Sequence, residues 1–284
     1  MPNPSNKPKP LKLTVIGATG GVGQHVVKHA LERGHTVTAV ARSKDKFEAM
    51  MGALGISTPA PKLSFVGASA ATVYDKDDKD VKALATAVKG SDVVISCLGN
   101  ASQKTAADFF LKKAHDVVLN VMKNTWGAPK KLMVISSIGV GDSFEQCKKL
   151  SFLFTRVLMP FVITKGIADI TAVEELVQAE NSSKNGVKTV IVRPCGLEDG
   201  AATGEYQRVY ADDLDAIPNY FGRVTSLYGL WEQRPYKYSW MGMLPKVDVA
   251  LAMLHICEDK ELFAAHAERP ATLLAKRAAI DRTS

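Results

Sequence analysis

Cysteine is scarce in this 284-residue sequence, and its four cysteines lie far apart with no Cys-x-x-Cys pair among them. Such sparse thiols argue against a disulfide framework or a zinc site and are typical of a reducing compartment. The six histidines show no spacing to carboxylates of the kind that metal ligands have. We therefore expect no bound metal.

Long apolar runs are also missing. The longest candidate, SFLFTRVLMPFVITKG, is interrupted by Arg156 and Pro160, whereas a membrane-spanning helix needs about 20 apolar residues. The opening MPNPSNKPKP is polar and rich in proline, and it has no apolar centre of a signal peptide. We expect residues 1–10 to form a disordered tail, and we expect a cytoplasmic protein that does not contact membranes.

Clustered charge of one sign is absent as well. The chain has a net charge of +7, but its lysines are spread along the sequence and are not interleaved with aromatic residues. This distribution is typical of a solvated surface and not of a nucleic-acid interface. We expect a small-molecule substrate, no nucleic-acid partner, and a monomer or a homodimer.

The sequence does contain a regular alternation of short apolar stretches with stretches of helical periodicity. Six strands are predicted, within LKLTVIGA, HTVTAVAR, KLSFVGA, SDVVISCLG, KKLMVISSIG and GVKTVIVRP. Helices are predicted over 22–33, 47–54, 78–89, 104–124 and 166–180, with a final amphipathic helix over 245–258. This alternation predicts an α/β fold, a Rossmann-type doubly wound parallel sheet with helices on both faces, within one domain of residues 11–284.

The pattern changes after Pro194, because most of the tyrosines are concentrated between residues 204 and 240. Two interpretations stay open: a small satellite core, or a wall over a substrate cleft to which aromatic rings supply area and a polar tip. We expect a substrate-side insertion at about 196–245, a small C-terminal lobe in which Gly196 and Tyr206 contact the substrate.

A glycine-rich turn, GATGGVG at residues 17–23, follows the first strand and opens the first helix. Its G-x-x-G-x-x-G spacing is a variant of the dinucleotide-binding fingerprint. Gly17 allows a tight turn, Gly20 lets backbone amides approach a pyrophosphate, and Gly23 permits close packing of helix and strand. The residues expected to contact a dinucleotide here are Gly17, Thr19, Gly20, Gly21, Val22 and Gly23.

The end of the second strand indicates which dinucleotide binds. An acidic residue there would accept the ribose hydroxyls of NAD(H), but this chain has Arg42 followed by Ser43. A guanidinium can hold a 2′-phosphate with two parallel hydrogen bonds, and a serine can donate a third. We therefore predict NADP(H), while Asp45, a little further along, keeps NAD(H) open.

The carboxyl ends of the other strands are expected to complete the cofactor site, because doubly wound sheets bind ligands at that edge. The contacts expected there are Leu98, Gly99 and Asn100 after the fourth strand, Ser136 after the fifth, and Pro194 at the end of the sixth.

Four segments together resemble the atypical short-chain dehydrogenase/reductase superfamily: GATGGVG, VVISCLGN, KKLMVISSIG and VKTVIVRPCGLEDGAATGEY. Within it, the chain is similar to the group that includes flavin reductase (biliverdin-IXβ reductase) and the NmrA-like proteins. The resemblance implies a Rossmann fold, NADP(H), and hydride chemistry on a flat or quinonoid acceptor. It also permits a protein that binds the cofactor without turnover.

The resemblance also suggests catalytic positions. Ser137 matches the superfamily's active-site serine, and Lys165 stands four residues after Phe161 with the spacing of its Tyr-x-x-x-Lys pair. Phe161, expected at the substrate, cannot donate a proton, and a competing alignment along IADITAVEELV offers no tyrosine either. A reaction that needs a phenolic acid is therefore not expected.

Two functions follow from these residues. The first is an NADPH-dependent reductase that transfers hydride to a flavin, a quinone or another conjugated small molecule, because such acceptors can take their proton from water. The alternative is a non-catalytic NADP(H)-binding redox sensor or regulator of the NmrA-like type, which would act through a protein partner.

Overall fold

The computed structural model describes residues 9–69, 79–99, 109–141, 164–204, 206–209, 238–239 and 243–276. The strands are β1 Lys12–Ile16, β2 Thr36–Ala41, β3 Leu63–Gly67, β4 Val93–Ser96, β5 Lys131–Ile135, β6 Lys188–Pro194, β7 Leu197–Glu198, β8 Tyr206–Val209, β9 Tyr238–Ser239, β10 Leu244–Pro245 and β11 Ala271–Lys276. The helices are α1 Gly21–Glu32, α2 Lys44–Ala53, α3 Lys79–Val88, α4 Phe110–Asn124, α5 Thr164–Ser182, α6 Lys246–Glu258 and α7 Lys260–Glu268.

The main sheet has the strand order β3-β2-β1-β4-β5-β6-β11-β8, and β9 also pairs with β11. Neighbouring strands from β3 to β11 run parallel, whereas β8 and β9 run antiparallel to β11. The chain therefore builds one half of the sheet outward from β1 and then returns to build the other half from β4. This order confirms the predicted doubly wound α/β fold and puts its switch point between β1 and β4.

Helices cover both faces of the sheet, which explains why β4 is buried along its whole length. One apolar cluster joins β1 and β2 to α1, α2 and α6, and includes Val15, Val26 and Met253. The other joins the opposite face to α3, α4 and α5, and includes Ile16 and Val118. Successive residues of β1 thus contribute to opposite cores, as the two-residue period of a strand requires.

The C-terminal part of the fold differs from the prediction. The helix predicted over 245–258 is α6, but it is neither final nor amphipathic: nine of its residues are buried. It packs against α1 and is followed by α7 and by β11, which inserts between β6 and β8. Burial on nearly every side leaves the sequence of α6 without the polar face by which surface helices are identified.

The start of α4 also differs from the prediction. Phe109 has a left-handed backbone with φ +50° and lies outside the helix, which begins at Phe110. The buried carboxylate of Asp169, in α5, accepts hydrogen bonds from the amides of Leu111 and Lys112 at 2.9 and 3.0 Å. The helix start is thus capped from a neighbouring helix, which local sequence does not reveal.

Other predictions fall largely outside the described residues. They include the tail at 1–10 and most of the insertion at 196–245, so the predicted domain organisation stays a prediction. Within the part of the chain that the structure describes, no helix is long and apolar enough to cross a membrane. The same residues contain no cluster of side chains suited to a metal ion.

Candidate functional site

The glycine-rich turn lies at the switch point of the sheet, between the ends of β2 and β4. The amide of Gly17 donates to the carbonyl of Val40 at 3.0 Å, and φ of Gly17 is +76°. A Cβ at this position would lie 2.9 Å from the carbonyl oxygen of Cys97. Both the backbone conformation and the lack of space therefore require glycine here.

The other two glycines of the motif converge on the Gly17 carbonyl. The amide of Gly20 donates to that oxygen at 2.8 Å, and a Cβ on Gly20 would lie 3.1 Å from it. A Cβ on Gly23 would collide with the same oxygen. The G-x-x-G-x-x-G spacing therefore has a structural cause as well: the Gly17 carbonyl leaves no room for a side chain at Gly20 or Gly23, and the Cys97 carbonyl leaves none at Gly17.

The start of α1 is open to an anion. Gly20 is its N-cap and offers no side chain, and the first turn of the helix carries no acidic residue. Backbone amides at a helix start are unpaired within the helix and carry the positive end of its dipole. Thr19 is half-buried just before this start. The amides of Gly21 and Val22 therefore stay without a hydrogen-bond partner inside the helix.

Lys246 lies across the first residue of α1, a placement that the sequence analysis missed. A Cβ on Gly21 would lie 2.8 Å from Cδ of Lys246 and 3.3 Å from its ammonium nitrogen. Gly21, the glycine outside the G-x-x-G-x-x-G spacing, thus makes room for this lysine. The short strands β7 and β10 pair in parallel through Leu197 and Leu244, and this pairing carries Lys246 to its place.

Asp199 holds the Lys246 ammonium at 2.8 Å, although the carboxylate itself is 85% exposed. This hydrogen bond, with the lysine charge, lowers the pKa of Asp199. One turn into α1, burial lowers the pKa of His25, the charges of His29, Lys28 and Lys246 lower it further, and Asp199 opposes them. The start of α1 is thus flanked by a lysine that is paired with an exposed carboxylate.

Arg42 and Ser43 follow β2 beside the glycine turn. Arg42 is exposed, and none of the ion pairs between described residues involves it. Ser43 is the N-cap of α2, because its hydroxyl oxygen accepts from the amide of Lys46 at 3.2 Å. A hydroxyl that accepts one bond can still donate another, so this cap is compatible with a phosphate contact. Helix α2 begins earlier than predicted because of this cap.

The hydroxyl of Ser136 is committed to a buried network. It donates to Oε1 of Glu174 at 2.6 Å, and Glu174 also receives two hydrogen bonds from Arg193, at 2.9 and 2.6 Å. Arg193 and Glu174 are 0% and 1% exposed. Gly141, with φ +58°, packs so closely that a Cβ would lie 2.5 Å from Glu174. The sequence analysis did not identify this network.

Ser137 is differently placed. It is half-buried, and its hydroxyl donates to the carbonyl of Ile138 at 3.2 Å. The amide of Ile138 donates to the carbonyl of Pro194 at 3.1 Å, so the ends of β5 and β6 are joined beside Ser137. Of the two serines, Ser137 is therefore the one whose hydroxyl is held only weakly.

The structure describes some of the remaining predicted residues in detail, gives only the element for others, and does not describe the rest. Leu98 is half-buried and Gly99 is exposed after β4, and the carbonyl of Gly196 accepts from the amide of Leu244 at 3.0 Å. Lys165 and Tyr206 lie within α5 and β8. Asn100 and Phe161 lie outside the described residues.

The sequence analysis also missed a set of hydrogen bonds that holds the segment after β7. The carboxylate of Asp248, which is 0% exposed, accepts from the amide of Thr203 at 3.0 Å, its hydroxyl at 2.6 Å, and the amide of Gly204 at 3.0 Å. Gly204 has φ +65°. These hydrogen bonds fix the chain just before β8 against α6, the helix that carries Lys246.

Comparison with known proteins agrees with this geometry. A sequence model of the NAD(P)H-binding family matches residues 17–217, well over half of the chain. The chain is 28% identical over 162 residues to divinyl chlorophyllide a 8-vinyl-reductase of Arabidopsis thaliana. That match covers 55% of this chain and 36% of the relative, so the chain spans only about a third of the relative's length.

Two solved structures share the fold. The anaerobillin reductase ChuY from Escherichia coli O157:H7 superposes with a TM-score of 0.59 at 21% identity, over 92% of this chain and 96% of that one. Gre2 from Candida albicans, in complex with NADPH, superposes with a TM-score of 0.58 at 17% identity, over 89% and 76%. The predicted resemblance to this group of NAD(P)H-binding proteins is thereby confirmed, and the chain belongs to the NAD(P)H-binding family.

Proposed function

We propose that the protein is an NADPH-dependent reductase that transfers hydride to a flavin, a quinone or another conjugated small molecule. The family supplies the cofactor class. Two of the similar proteins are named as reductases, which supports the reaction class. The choice of NADPH and the type of acceptor are inferences from the residues of this chain.

One observation carries the proposal: the glycine turn is hydrogen-bonded to the end of β2, next to Arg42. The amides of Gly17 and Ala18 both donate to the carbonyl of Val40, at 3.0 and 3.3 Å, and Arg42 is two residues further along. A dinucleotide whose pyrophosphate binds at the turn would extend its adenosine ribose over this strand end. Arg42 would then meet the 2′-phosphate that distinguishes NADPH from NADH.

The residues around the turn fit a dinucleotide in charge and in space. The uncapped start of α1, the ammonium of Lys246 and the guanidinium of Arg42 all present positive charge. Gly17 and Gly20 leave the backbone bare of side chains. The amides of Gly21 and Val22 would hold the pyrophosphate, with Lys246 beside them.

In the proposed reaction, the residues of the protein position the nicotinamide and the acceptor. A bound nicotinamide supplies the hydride. Ser137, whose hydroxyl makes a long 3.2 Å hydrogen bond, is available to orient the nicotinamide amide or the acceptor. Ser136 is not, because Glu174 holds its hydroxyl at 2.6 Å. Without a phenolic acid in the predicted position, a conjugated acceptor that takes its proton from water suits the site best.

The test measures the loss of NADPH absorbance with a panel of flavins, quinones and enals, alongside direct titration of NADPH and NADH. The variant Arg42→Ala is expected to weaken NADPH binding about tenfold or more and to leave NADH binding unchanged, because it removes charge-assisted bonds to the 2′-phosphate. Lys62→Ala, which removes an exposed cation at the opposite edge of the sheet, is the matched control.

Each result discriminates between functions. Turnover with one class of acceptor supports the reductase. Tight NADPH binding with no turnover on any acceptor would instead support the non-catalytic redox regulator that acts through a protein partner. Equal weakening of NADPH and NADH in Arg42→Ala would contradict the 2′-phosphate assignment.

A further inference from the structure

A strongly cationic groove opens at the edge of the sheet opposite the glycine turn. It has a volume of about 830 Å³ and lies at the amino ends of the neighbouring parallel strands β5, β6 and β11. Five cationic residues line it: Lys130, Lys131, Lys188, Lys260 and Arg269. None of the residues assigned above to the cofactor lines this basic groove.

The register of the sheet places two of these lysines side by side. Lys131 and Lys188 are the first residues of β5 and β6, and they are direct partners in the parallel register. The amide of Lys188 donates to the carbonyl of Lys130 at 2.8 Å, which brings a third lysine to the same strand ends. Like charges opposite one another on neighbouring strands destabilise a sheet.

Little negative charge compensates them. Glu268 is the one carboxylate among the described residues that line the groove. The ion pairs formed between described residues include none of Lys130, Lys131, Lys188 and Lys260. An anion within the groove would relieve this repulsion and gain several charge-assisted hydrogen bonds.

Two of the ammonium groups are also held in position. The Lys131 nitrogen lies 4.9 Å from the ring centre of Phe263, and Lys188 donates to the carbonyl of Asn181 at 2.7 Å. The side chain of Asn181 bonds Thr189 twice, at 2.6 and 2.7 Å, and the carbonyl of Ala267 at 2.7 Å. These bonds tie α5, β6 and α7 together beneath the lysines, so the charges sit on a rigid base.

Part of the groove lining is apolar. Phe263 and Ile191 are each 2% exposed and line it together with Pro270. The volume lies within the range of about 300–1,000 Å³ that small-molecule sites have. Several cations around a concavity with a partly apolar lining suit a compact ligand, whereas nucleic acid is usually met by a stripe of charge and exposed aromatic rings.

We propose that the basic groove is a second ligand site, which binds a small organic anion carrying two or more phosphate or carboxylate groups. Lys131 and Lys188 bind the anionic groups at the strand ends, and Lys130 and Lys260 hold the outer part of the ligand. The site is separate from the cofactor, since it lies at the amino ends of the strands and the glycine turn lies at their carboxyl ends.

The probe for this site is inorganic tripolyphosphate, titrated calorimetrically into the full chain at low ionic strength. The double variant Lys131→Gln/Lys188→Gln is expected to bind it at least tenfold more weakly than the unmodified protein. Because these two lysines also make internal contacts, a second double variant, Lys130→Gln/Lys260→Gln, is measured too and is expected to weaken binding in the same direction.

A control variant separates this site from a general loss of positive charge. Lys12→Gln/Lys62→Gln removes two exposed charges at the same edge of the sheet but outside the groove. It should bind tripolyphosphate within about twofold of the unmodified protein. Equal losses in the control double variant, or no binding by the unmodified protein, would each overturn the proposal. A short DNA duplex that binds the groove more tightly than tripolyphosphate would do so as well.

Discussion

Glu258, at the end of α6, accepts a 2.8 Å hydrogen bond from Nε2 of His35, just before β2. The backbone amide of Leu11 donates to Nδ1 of the same ring at 3.0 Å. Since Nδ1 must accept, the neutral ring carries its hydrogen on Nε2 and donates it to Glu258. Arg33 adds a further hydrogen bond to Glu258 at 2.8 Å. This cluster joins the end of α6 to the first half of the sheet.

The cluster predicts a pH-dependent stability. Burial acts to raise the pKa of Glu258, but the hydrogen bonds from His35 and Arg33 outweigh it, so the pKa is lowered. A carboxyl group whose pKa is lower in the folded state stabilises the fold above its ordinary pKa of about 4.3 and loses that contribution as the pH falls through the folded value. Glu258→Gln should therefore reduce the free energy of unfolding by about 1–3 kcal/mol at neutral pH.

Urea denaturation at several pH values measures this difference. The gap between the unmodified protein and Glu258→Gln should shrink below about pH 4, where the native carboxyl takes up a proton as well. Glu32→Gln, at a side chain that is 53% exposed, is the control and should change little. A gap that stays constant across the acidic range would contradict the assigned role of the charge.

The collision at Gly23 predicts a large difference between two similar substitutions. Gly23→Ala places a methyl group against the Gly17 carbonyl and should cost about 1–3 kcal/mol of unfolding free energy. Gly52→Ala, in α2, meets nothing within 4 Å and should stabilise the helix by about 0.5–1 kcal/mol. Urea denaturation of both variants compares them directly, and equal effects would show that space at Gly23 is not what requires glycine.

We expect substitutions at Lys246 and at Asp199 to have different effects on cofactor binding. Lys246→Gln removes the ammonium from the start of α1 and should weaken NADPH binding about tenfold. Asp199→Asn removes a negative charge from the same place and should leave binding unchanged or strengthen it. Lys28→Gln, further along α1 and paired with Glu32 at 3.9 Å, serves as the control. Fluorescence titration with NADPH measures all three, and weaker binding by Asp199→Asn would contradict the electrostatic argument.

The fold could be predicted because its signals are local. Strands such as β4 are apolar throughout, and α1 repeats its buried residues at helical spacing, so neither needs information from elsewhere in the chain. Helix α6 was placed correctly but described as amphipathic, because burial on nearly all sides removes the polar face on which that prediction rests. Strand β11 was missed, since it pairs with β6 far back in the chain.

The candidate site also has residues that local sequence identifies and residues that it does not. Gly20 and Gly23 were identified because their requirements arise within one turn, where the Gly17 carbonyl lies close to both. Lys246 was missed, since it reaches Gly21 only through the pairing of β7 with β10. Contacts that join distant segments carry no periodic signal in the sequence, which also explains why the bonds of Glu174 were not foreseen.

The buried pair of Arg193 and Glu174 gives the last prediction. Arg193→Met removes two hydrogen bonds and leaves the carboxylate buried with the Ser136 hydroxyl, so it should cost about 3–5 kcal/mol of unfolding free energy. Adding Glu174→Gln removes the uncompensated charge while its amide oxygen still accepts from Ser136. The double variant should therefore be more stable than Arg193→Met alone.

Urea denaturation of the single and double variants yields the coupling energy between the two residues. Lys123→Met breaks a pair with Glu180 at 2.6 Å, in which the side chains are 40% and 15% exposed, and should cost at most about 1 kcal/mol. If Glu174→Gln instead adds to the loss caused by Arg193→Met, the negative charge of Glu174 stabilises the fold without the arginine. That result would contradict the prediction, because the hydrogen bond from Ser136 is kept in Glu174→Gln and cannot account for the added loss.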